Sequence, residues 1–115
     1  MSYWNLSNYM HLKNTVYIFY NKKLNLYKFG ITELDINHRL KNYCASNYYD
    51  LSDIQIIFSY IFKDGLEVES LLNKAINGKR VKLPNSNYYY KEHFREEQLE
   101  NILNILESEI AKCKQ

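Results

Sequence analysis

Four side chains of this sequence supply the groups needed to attack a phosphodiester: a phenol, an amine, a guanidinium and a carboxylate. They are Tyr17, Lys28, Arg39 and Glu69. The carboxylate of Glu69 can hold one Mg²⁺ or Mn²⁺ ion, which polarises the phosphate and stabilises the leaving oxygen. The two cations can neutralise charge developing at phosphorus, and Tyr17 can position or deprotonate the attacking water. The same set would also suit a module that only binds phosphate, so both functions stay open.

Each of the four residues also has an ordinary structural explanation. Tyr17 can be a strand tyrosine with a hydrated hydroxyl, and Lys28 a solvated hairpin lysine. Arg39 can form an ion pair with Glu69 or Glu92, and Glu69 can be a helix-surface glutamate. Catalysis therefore requires all four side chains to line one hollow that is open to solvent.

A β-hairpin would position the first two residues. Segments 15–21 and 26–31 are rich in β-branched and aromatic residues and are separated by a polar turn, which predicts two antiparallel strands. Side chains alternate between the faces of a strand. If the apolar partners pack on the core, Tyr17 and Lys28 emerge together on the open face of the sheet.

Two helices would bring the other two residues to that sheet. The first begins at Thr32 or Asp35 and ends near residue 45, with Arg39 at the edge of its apolar stripe. Its apolar side also carries Cys44, which we expect to be a buried spectator thiol.

The second helix runs over residues 64–77 and is closed by Gly78 in the left-handed conformation. Glu69 lies at the border of its buried stripe. Asn73, one turn later, is placed to hydrogen-bond the Glu69 carboxylate and orient it. Between the helices, residues 54–62 are apolar enough to predict a central third strand buried on both faces.

The remainder of the chain offers contacts for a polyanion. A basic loop follows Gly78, and a final helix over about residues 95–112 has a mostly acidic outer face. Candidate nucleic-acid contacts are Lys41, Lys79, Arg80 and Lys82. The tyrosine runs 48–49 and 88–90 could stack on exposed bases, although AT-rich codon usage explains abundant tyrosine equally well.

Composition limits the classes of protein that fit. A chain of 115 residues predicts one domain, over residues 15–112, preceded by an arm at 1–14. It has no run of about 18 apolar residues and no secretory signal, so we expect a soluble, intracellular protein without a membrane. Its two cysteines and three histidines are scattered, which argues against a zinc site and a disulfide.

Charge is distributed unevenly along the chain. Residues 1–94 carry 12 Lys/Arg against 8 Asp/Glu, whereas residues 95–115 carry 3 against 5. A nucleic acid should therefore approach the first part and avoid the final helix.

The order and spacing of these motifs resemble the GIY-YIG nuclease superfamily, especially a phage and large-virus subgroup with a Tyr-Lys-Ile-Gly second motif. The matching segments are Val16-Tyr17-Ile18, Tyr27-Lys28-Phe29-Gly30-Ile31-Thr32, Arg39, Glu69 and Glu92-His93-Phe94. The resemblance implies an α/β (α+β) sandwich with a three-stranded antiparallel sheet flanked by helices. It further implies a DNA endonuclease of a virus or mobile element that uses one Mg²⁺ or Mn²⁺ ion at Glu69. Gly30 and Glu92 would support the site.

Two residues depart from the family pattern. Thr15 stands at the opening glycine of the first motif, and Lys28 stands at the second-motif tyrosine, which in DNA-cutting relatives helps handle the attacking water. Lysine could stabilise phosphate charge, act as a base, or mark a subgroup that binds nucleic acid without cutting it.

Three functions are consistent with the sequence. The first is an endonuclease acting on duplex or branched DNA, the second a silent nucleic-acid-binding module, and the third a protein-interaction domain with residues 1–14 over the open face. Specificity would come from loops 46–53 and 79–91, from a homodimer, or from a partner.

Overall fold

A computed structural model describes residues 14–114 of the protein. Its centre is an antiparallel sheet of four strands in the order β3-β1-β2-β4. The strands are β1 (Thr15–Asn21), β2 (Leu26–Thr32), β3 (Ile54–Ile61) and β4 (His93–Phe94). Three helices flank the sheet: α1 (Ile36–Asn47), α2 (Gly65–Ile76) and α3 (Leu99–Cys113). The predicted α+β class is confirmed, with one more strand than expected.

The predicted hairpin forms between β1 and β2. Tyr17 lies opposite Gly30, and Ile18 lies opposite Phe29. The turn is stabilised by Asn21, whose side-chain oxygen accepts the Leu24 amide at 3.1 Å. This register places the two halves of the sequence motif side by side.

One face of the sheet is apolar and is covered by α2 and α3. α2 is capped by Asp64, whose carboxylate accepts the Glu67 amide at 3.1 Å, and Gly78 follows it with φ of 82°, as predicted. The buried core on this face consists of Val16, Ile18, Phe29, Phe62, Val68, Leu72, Ile76, Phe94, Ile102 and Leu106. Burial of this continuous apolar surface is the main source of stability for the fold.

The opposite face is not open, contrary to expectation. α1, capped by Asp35 through the Asn37 amide at 3.1 Å, packs over it. The cluster beneath α1 comprises Tyr17, Phe19, Tyr43, Cys44 and Ile54. Tyr17 is fully buried, so its hydroxyl is not hydrated from bulk solvent. The β1 strand is hydrophobic on both faces, and two layers of helix are needed to cover it.

Within residues 14–114 the third strand lies at the edge of the sheet and not at its predicted central position. β3 pairs with β1 on one side, and Ile61 is 64% exposed. A register irregularity opposite Ile18 and Phe19 interrupts this pairing. A run without charged residues does not distinguish a central strand from an edge strand, because sheet order depends on contacts distant in sequence.

The predicted arm lies outside the described residues except for Asn14. Its carbonyl accepts the Phe62 amide at 3.0 Å, which extends the β1–β3 pairing by one step. Over residues 14–114, no helix has the length and apolar character needed to cross a membrane.

Candidate active site

Gly30 makes room for Tyr17 on the neighbouring strand. A Cβ atom at Gly30 would lie 2.7 Å from Tyr17 Cζ and closer still to the hydroxyl oxygen, distances that side-chain atoms do not adopt. The Tyr17 ring also stacks on Phe19, with 4.3 Å between ring centroids. Position 30 must therefore be glycine, because any larger residue would clash with the Tyr17 ring on the neighbouring strand.

Arg39 is directed over the sheet, as its position at the edge of α1 predicted. Its Nε donates to the Tyr17 hydroxyl oxygen at 3.1 Å. Within residues 14–114 the guanidinium has no ion pair with Glu69 or Glu92, so that alternative is wrong. Guanidinium carries five N–H donors in a planar fork, and the remaining donors can bind an anion.

Lys28 is buried, so the solvated-lysine alternative is also wrong. Its ammonium forms an ion pair with Glu92 Oε1 at 3.0 Å and donates to the Phe29 carbonyl at 3.0 Å. The Lys28 nitrogen lies 5.9 Å from the centroid of the Tyr17 ring. The phenol, the guanidinium and the amine are thus in one cluster.

Glu92 reaches this cluster through an unusual backbone conformation. Its φ of 59° lies in the left-handed region, which is unfavourable for a residue with a long side chain. The strained turn is held because the Glu92 carbonyl accepts the Phe29 amide at 3.0 Å. Such local strain is typical of functional sites. The resemblance implied a supporting position for Glu92, and its carboxylate pairs with Lys28.

Glu69 joins the cluster through Glu92. Burial, a hydrogen bond with Glu92 and the charge of Glu92 raise the pKa of Glu69 to about 7. Burial also opposes ionisation of Glu92, but the hydrogen bond from Glu69 and the charges of Lys28 and Arg39 outweigh it and lower the pKa of Glu92. One proton therefore stays on Glu69 well above its usual range, and Glu92 is the ionised partner.

The Glu69 and Glu92 carboxyls offer oxygen donors of the type that a divalent cation uses. Glu69 shares a proton with Glu92 in a hydrogen bond. A metal ion that binds the two carboxyl groups would displace this proton. Over the described residues, no cluster of three or more His, Cys, Asp or Glu side chains could hold a metal. A hard cation here would take its remaining ligands from water and substrate phosphate, as Mg²⁺ commonly does.

Asn73 does not orient the Glu69 carboxylate as predicted. Its amide nitrogen donates to the Glu69 backbone carbonyl at 3.2 Å. The Asn73 side chain therefore supports the helix that carries Glu69 and leaves the carboxylate free to meet Glu92.

A cavity of about 430 Å³ opens beside the cluster, between α1 and residues 83–93. Lys28, Arg39 and Glu92 line it, whereas Tyr17 and Glu69 are not among its lining residues. A second hollow of about 290 Å³ lies on another side of Glu92 and is bordered by Asn73 and Arg80 among others. The four predicted residues thus belong to one cluster, but only Lys28 and Arg39 line the larger cavity. The requirement that all four side chains line one open hollow is therefore not met, and Tyr17 and Glu69 can act on a substrate there only through Arg39 and Glu92, which line it.

The predicted basic contacts are dispersed. Lys41, Lys79, Arg80 and Lys82 are all exposed, and of these only Arg80 borders a hollow that reaches Glu92. Lys91, which the sequence did not single out, lines both hollows. Its position next to Glu92 in the chain was the sequence feature that could have identified Lys91 as a residue of the site.

A buried polar network supports the cluster from below, and the sequence did not reveal it. The Tyr43 hydroxyl accepts from Asn21 at 3.0 Å and lies 3.0 Å from His93 Nε2. His93 Nδ1 lies 2.7 Å from the Lys91 carbonyl. Burial lowers the pKa of His93 to about 4. The ring is therefore neutral, with Nδ1 donating to the carbonyl and Nε2 accepting from Tyr43.

Comparison with known proteins gives one result. Searches of curated proteins and of solved structures returned no match. A family model described as the T5orf172 domain matches residues 14–109, which includes every strand, α1, α2 and the cluster around Glu92. This domain occurs in phage proteins and is related to GIY-YIG-like folds. The chain belongs to the T5orf172 domain family.

Proposed function

We propose that this protein is a small metal-dependent endonuclease that hydrolyses DNA phosphodiester bonds. The observation that carries the proposal is the continuous set of contacts from Arg39 through Tyr17, Lys28 and Glu92 to Glu69. Two of these contacts are a 3.1 Å hydrogen bond and a 3.0 Å ion pair. A phenol, two cations and two carboxyls would not be grouped in one partly buried cluster for packing alone, because burying charge is costly.

The two cations would bind the scissile phosphate. Arg39 and Lys28 line the cavity, so an entering phosphate meets them first. The Arg39 fork can hold two phosphate oxygens, and the Lys28 ammonium can neutralise charge that develops in the transition state.

Tyr17 would act as a positioning residue. Because it is fully buried, it contacts the substrate only through Arg39. Its hydroxyl accepts the Arg39 Nε hydrogen and thereby turns the rest of the guanidinium toward the cavity.

Glu69 would hold the metal ion, with Glu92 beside it. When bound, one Mg²⁺ or Mn²⁺ ion would supply the charge that polarises the phosphate and makes a water molecule more acidic. Glu69, with a pKa of about 7, would give up to the metal the proton that it otherwise holds near neutrality.

DNA would approach across the basic residues around the cavity. Lys91 and Arg80 border the hollow next to Glu92, and Lys41, Lys79 and Lys82 are exposed elsewhere on the surface. These residues would contact backbone phosphates and provide affinity without sequence selectivity.

Cleavage of supercoiled plasmid tests the proposal. With Mg²⁺ or Mn²⁺ the protein should nick the plasmid, and Glu69→Ala should lower the rate about a hundredfold or more. Glu67→Ala is the matched control, since Glu67 is an exposed residue of the same helix and should leave the rate unchanged. Equal loss in both variants, or nicking that persists in Glu69→Ala, would overturn the assignment of Glu69.

The Lys28–Glu92 ion pair favours a second candidate, a module that binds nucleic acid without cutting it. The Lys28 ammonium already neutralises the Glu92 carboxylate, so Glu92 does not require a metal ion to compensate its charge. Salt-dependent DNA binding without nicking in either metal would select this function. Absence of both binding and nicking would exclude both candidates and leave a protein-interaction domain.

A further inference from the structure

The cavity beside Lys28 and Arg39 is lined by two chemical classes of side chain. Those two cations line it together with the aromatic residues Tyr89 and Tyr90. Its volume of about 430 Å³ is within the range of small-molecule sites, roughly 300–1,000 Å³. A phosphate on the two cations leaves a space lined by aromatic rings that the phosphate does not fill.

The tyrosines are carried by an ordered hairpin. The Tyr90 amide donates to the Val81 carbonyl at 2.8 Å, and the Leu83 amide donates to the Tyr88 carbonyl at 2.9 Å. Val81 is buried, which anchors the base of the hairpin. The Tyr90 ring packs on His93 with 5.3 Å between centroids, while Tyr89 is 51% exposed and offers an accessible ring.

The end of α1 supplies polar groups to the same cavity. Ser46 and Asn47 line it. The Asn47 amide nitrogen donates to the Tyr43 carbonyl at 2.8 Å, and the Asn47 amide oxygen and the Ser46 hydroxyl are the polar groups that these two lining residues can offer to a ligand. An aromatic surface with a few hydrogen-bonding groups at its edge matches a nucleobase, which has two π faces and a polar rim.

We propose that this cavity binds one unpaired nucleobase, stacked on Tyr89, next to the phosphate held by Arg39 and Lys28. A base inside a duplex is stacked and paired and cannot enter a side pocket unless it is extruded. The preferred substrate is therefore DNA with an unpaired nucleotide, such as a single-stranded flap, and not an uninterrupted duplex. The inference rests on the nucleic-acid binding proposed above and specifies its substrate class.

Equilibrium binding tests this inference independently of cleavage. Fluorescein-labelled DNA with a single-stranded flap and a fully paired duplex of the same length are titrated with the full chain in EDTA, with anisotropy as the readout. The protein should bind the flap DNA roughly tenfold or more tightly than the duplex, because stacking of one base on an aromatic side chain has about this effect. A 2-aminopurine in the flap should change its fluorescence on binding.

Three variants locate the effect. Tyr89→Ala should abolish the preference for the flap and leave duplex affinity unchanged, whereas Tyr89→Phe should keep it because the ring remains. Tyr88→Ala is the matched control, since Tyr88 neighbours Tyr89, is 77% exposed and is not among the residues lining the cavity. Its preference should equal that of the unmodified protein.

The outcomes separate the two proposals. Equal affinity for flap and duplex, or equal losses in Tyr88→Ala and Tyr89→Ala, would overturn the base pocket even if the plasmid is nicked. A Tyr89-dependent preference without any nicking would support the pocket and remove only the cleavage step.

Discussion

The two faces of the central sheet are buried in different ways. The face under α2 and α3 buries a continuous cluster of apolar side chains. The face under α1 combines aromatic residues with a buried lysine, an arginine and a neutral histidine. The first face stabilises the domain through close packing, and the second holds polar groups in defined positions at some cost in stability.

This difference between the two faces indicates that the functional residues lie on the face under α1. On the polar face the groups are connected by hydrogen bonds and one ion pair, and Glu92 adopts a strained backbone conformation to complete the set. Natural proteins depart from simple packing rules mainly at functional sites. Four substitutions test this contrast, and we order them by expected size.

Leu72→Ala on the apolar face should have the largest effect on stability. Leu72 is fully buried in the core, and the cavity left by truncation should lower the free energy of unfolding by about 3 kcal/mol. Chemical denaturation measures this value. Leu66→Ala, at a 47% exposed position of the same helix, is the control and should cost little. If the two losses are similar, the apolar face is not the stabilising one.

Gly30→Ala should disturb the polar face by crowding Tyr17. The new methyl group would displace the phenol from Arg39, with a cost of about 2 kcal/mol from overpacking and loss of the proposed nicking activity. Combining it with Tyr17→Phe removes the nearest atom, so the double variant should be more stable than the sum of the two changes predicts. Strict additivity would show that the contact is not limiting.

Tyr43→Phe should break the polar network without opening a cavity. Removal of the hydroxyl leaves the Asn21 amide and His93 Nε2 without a partner, which should cost about 1–2 kcal/mol. Tyr48→Phe provides the control, because Tyr48 is almost fully exposed. Thermal and denaturant unfolding measure the difference, and a neutral Tyr43→Phe would contradict the network.

Glu69→Gln should stabilise the protein while removing the proposed activity. The pKa of Glu69 rises from 4.5 to about 7 on folding, so the folded state binds more protons in this window and stability falls as pH rises through it. Glutamine resembles the protonated acid and avoids this loss. Because partial exposure screens the charge, we expect a gain of about 1 kcal/mol at pH 8 and none near pH 4.5.

His93 serves as an internal reference in the pH experiment. Burial lowers its pKa from 6.5 to about 4, so the unfolded state binds more protons there and stability falls as pH drops from about 6.5 to 4. This contribution is common to both proteins and cancels in their difference. A difference between the two proteins that does not change with pH would show that the Glu69 pKa is not raised.

Much of the framework was predictable from local patterns. Alternation of apolar residues predicted the β1–β2 hairpin, and capping residues with apolar stripes predicted α1 and α2 close to their observed ends. The spacing also placed Tyr17, Lys28 and Arg39 where they could meet. These features depend on residues a few positions apart, which is the range that sequence periodicity reports.

Other features were not predictable for a physical reason. Whether β3 is central or at the edge depends on which strand pairs with which, and a run of apolar residues is compatible with both. Glu92 pairs with Lys28, which lies 64 positions away in the sequence. Asn73 hydrogen-bonds the backbone carbonyl of Glu69 and not its carboxylate.

The sequence alone determined the elements and the identities of the reactive groups, because local propensity and side-chain chemistry need no distant partner. Only the tertiary structure decided that α1 covers Tyr17, that Lys28 is paired with Glu92, and that Tyr89 and Arg39 share a cavity. These arrangements arise from burial and from contacts between remote segments, whose energies exist only once the chain has folded.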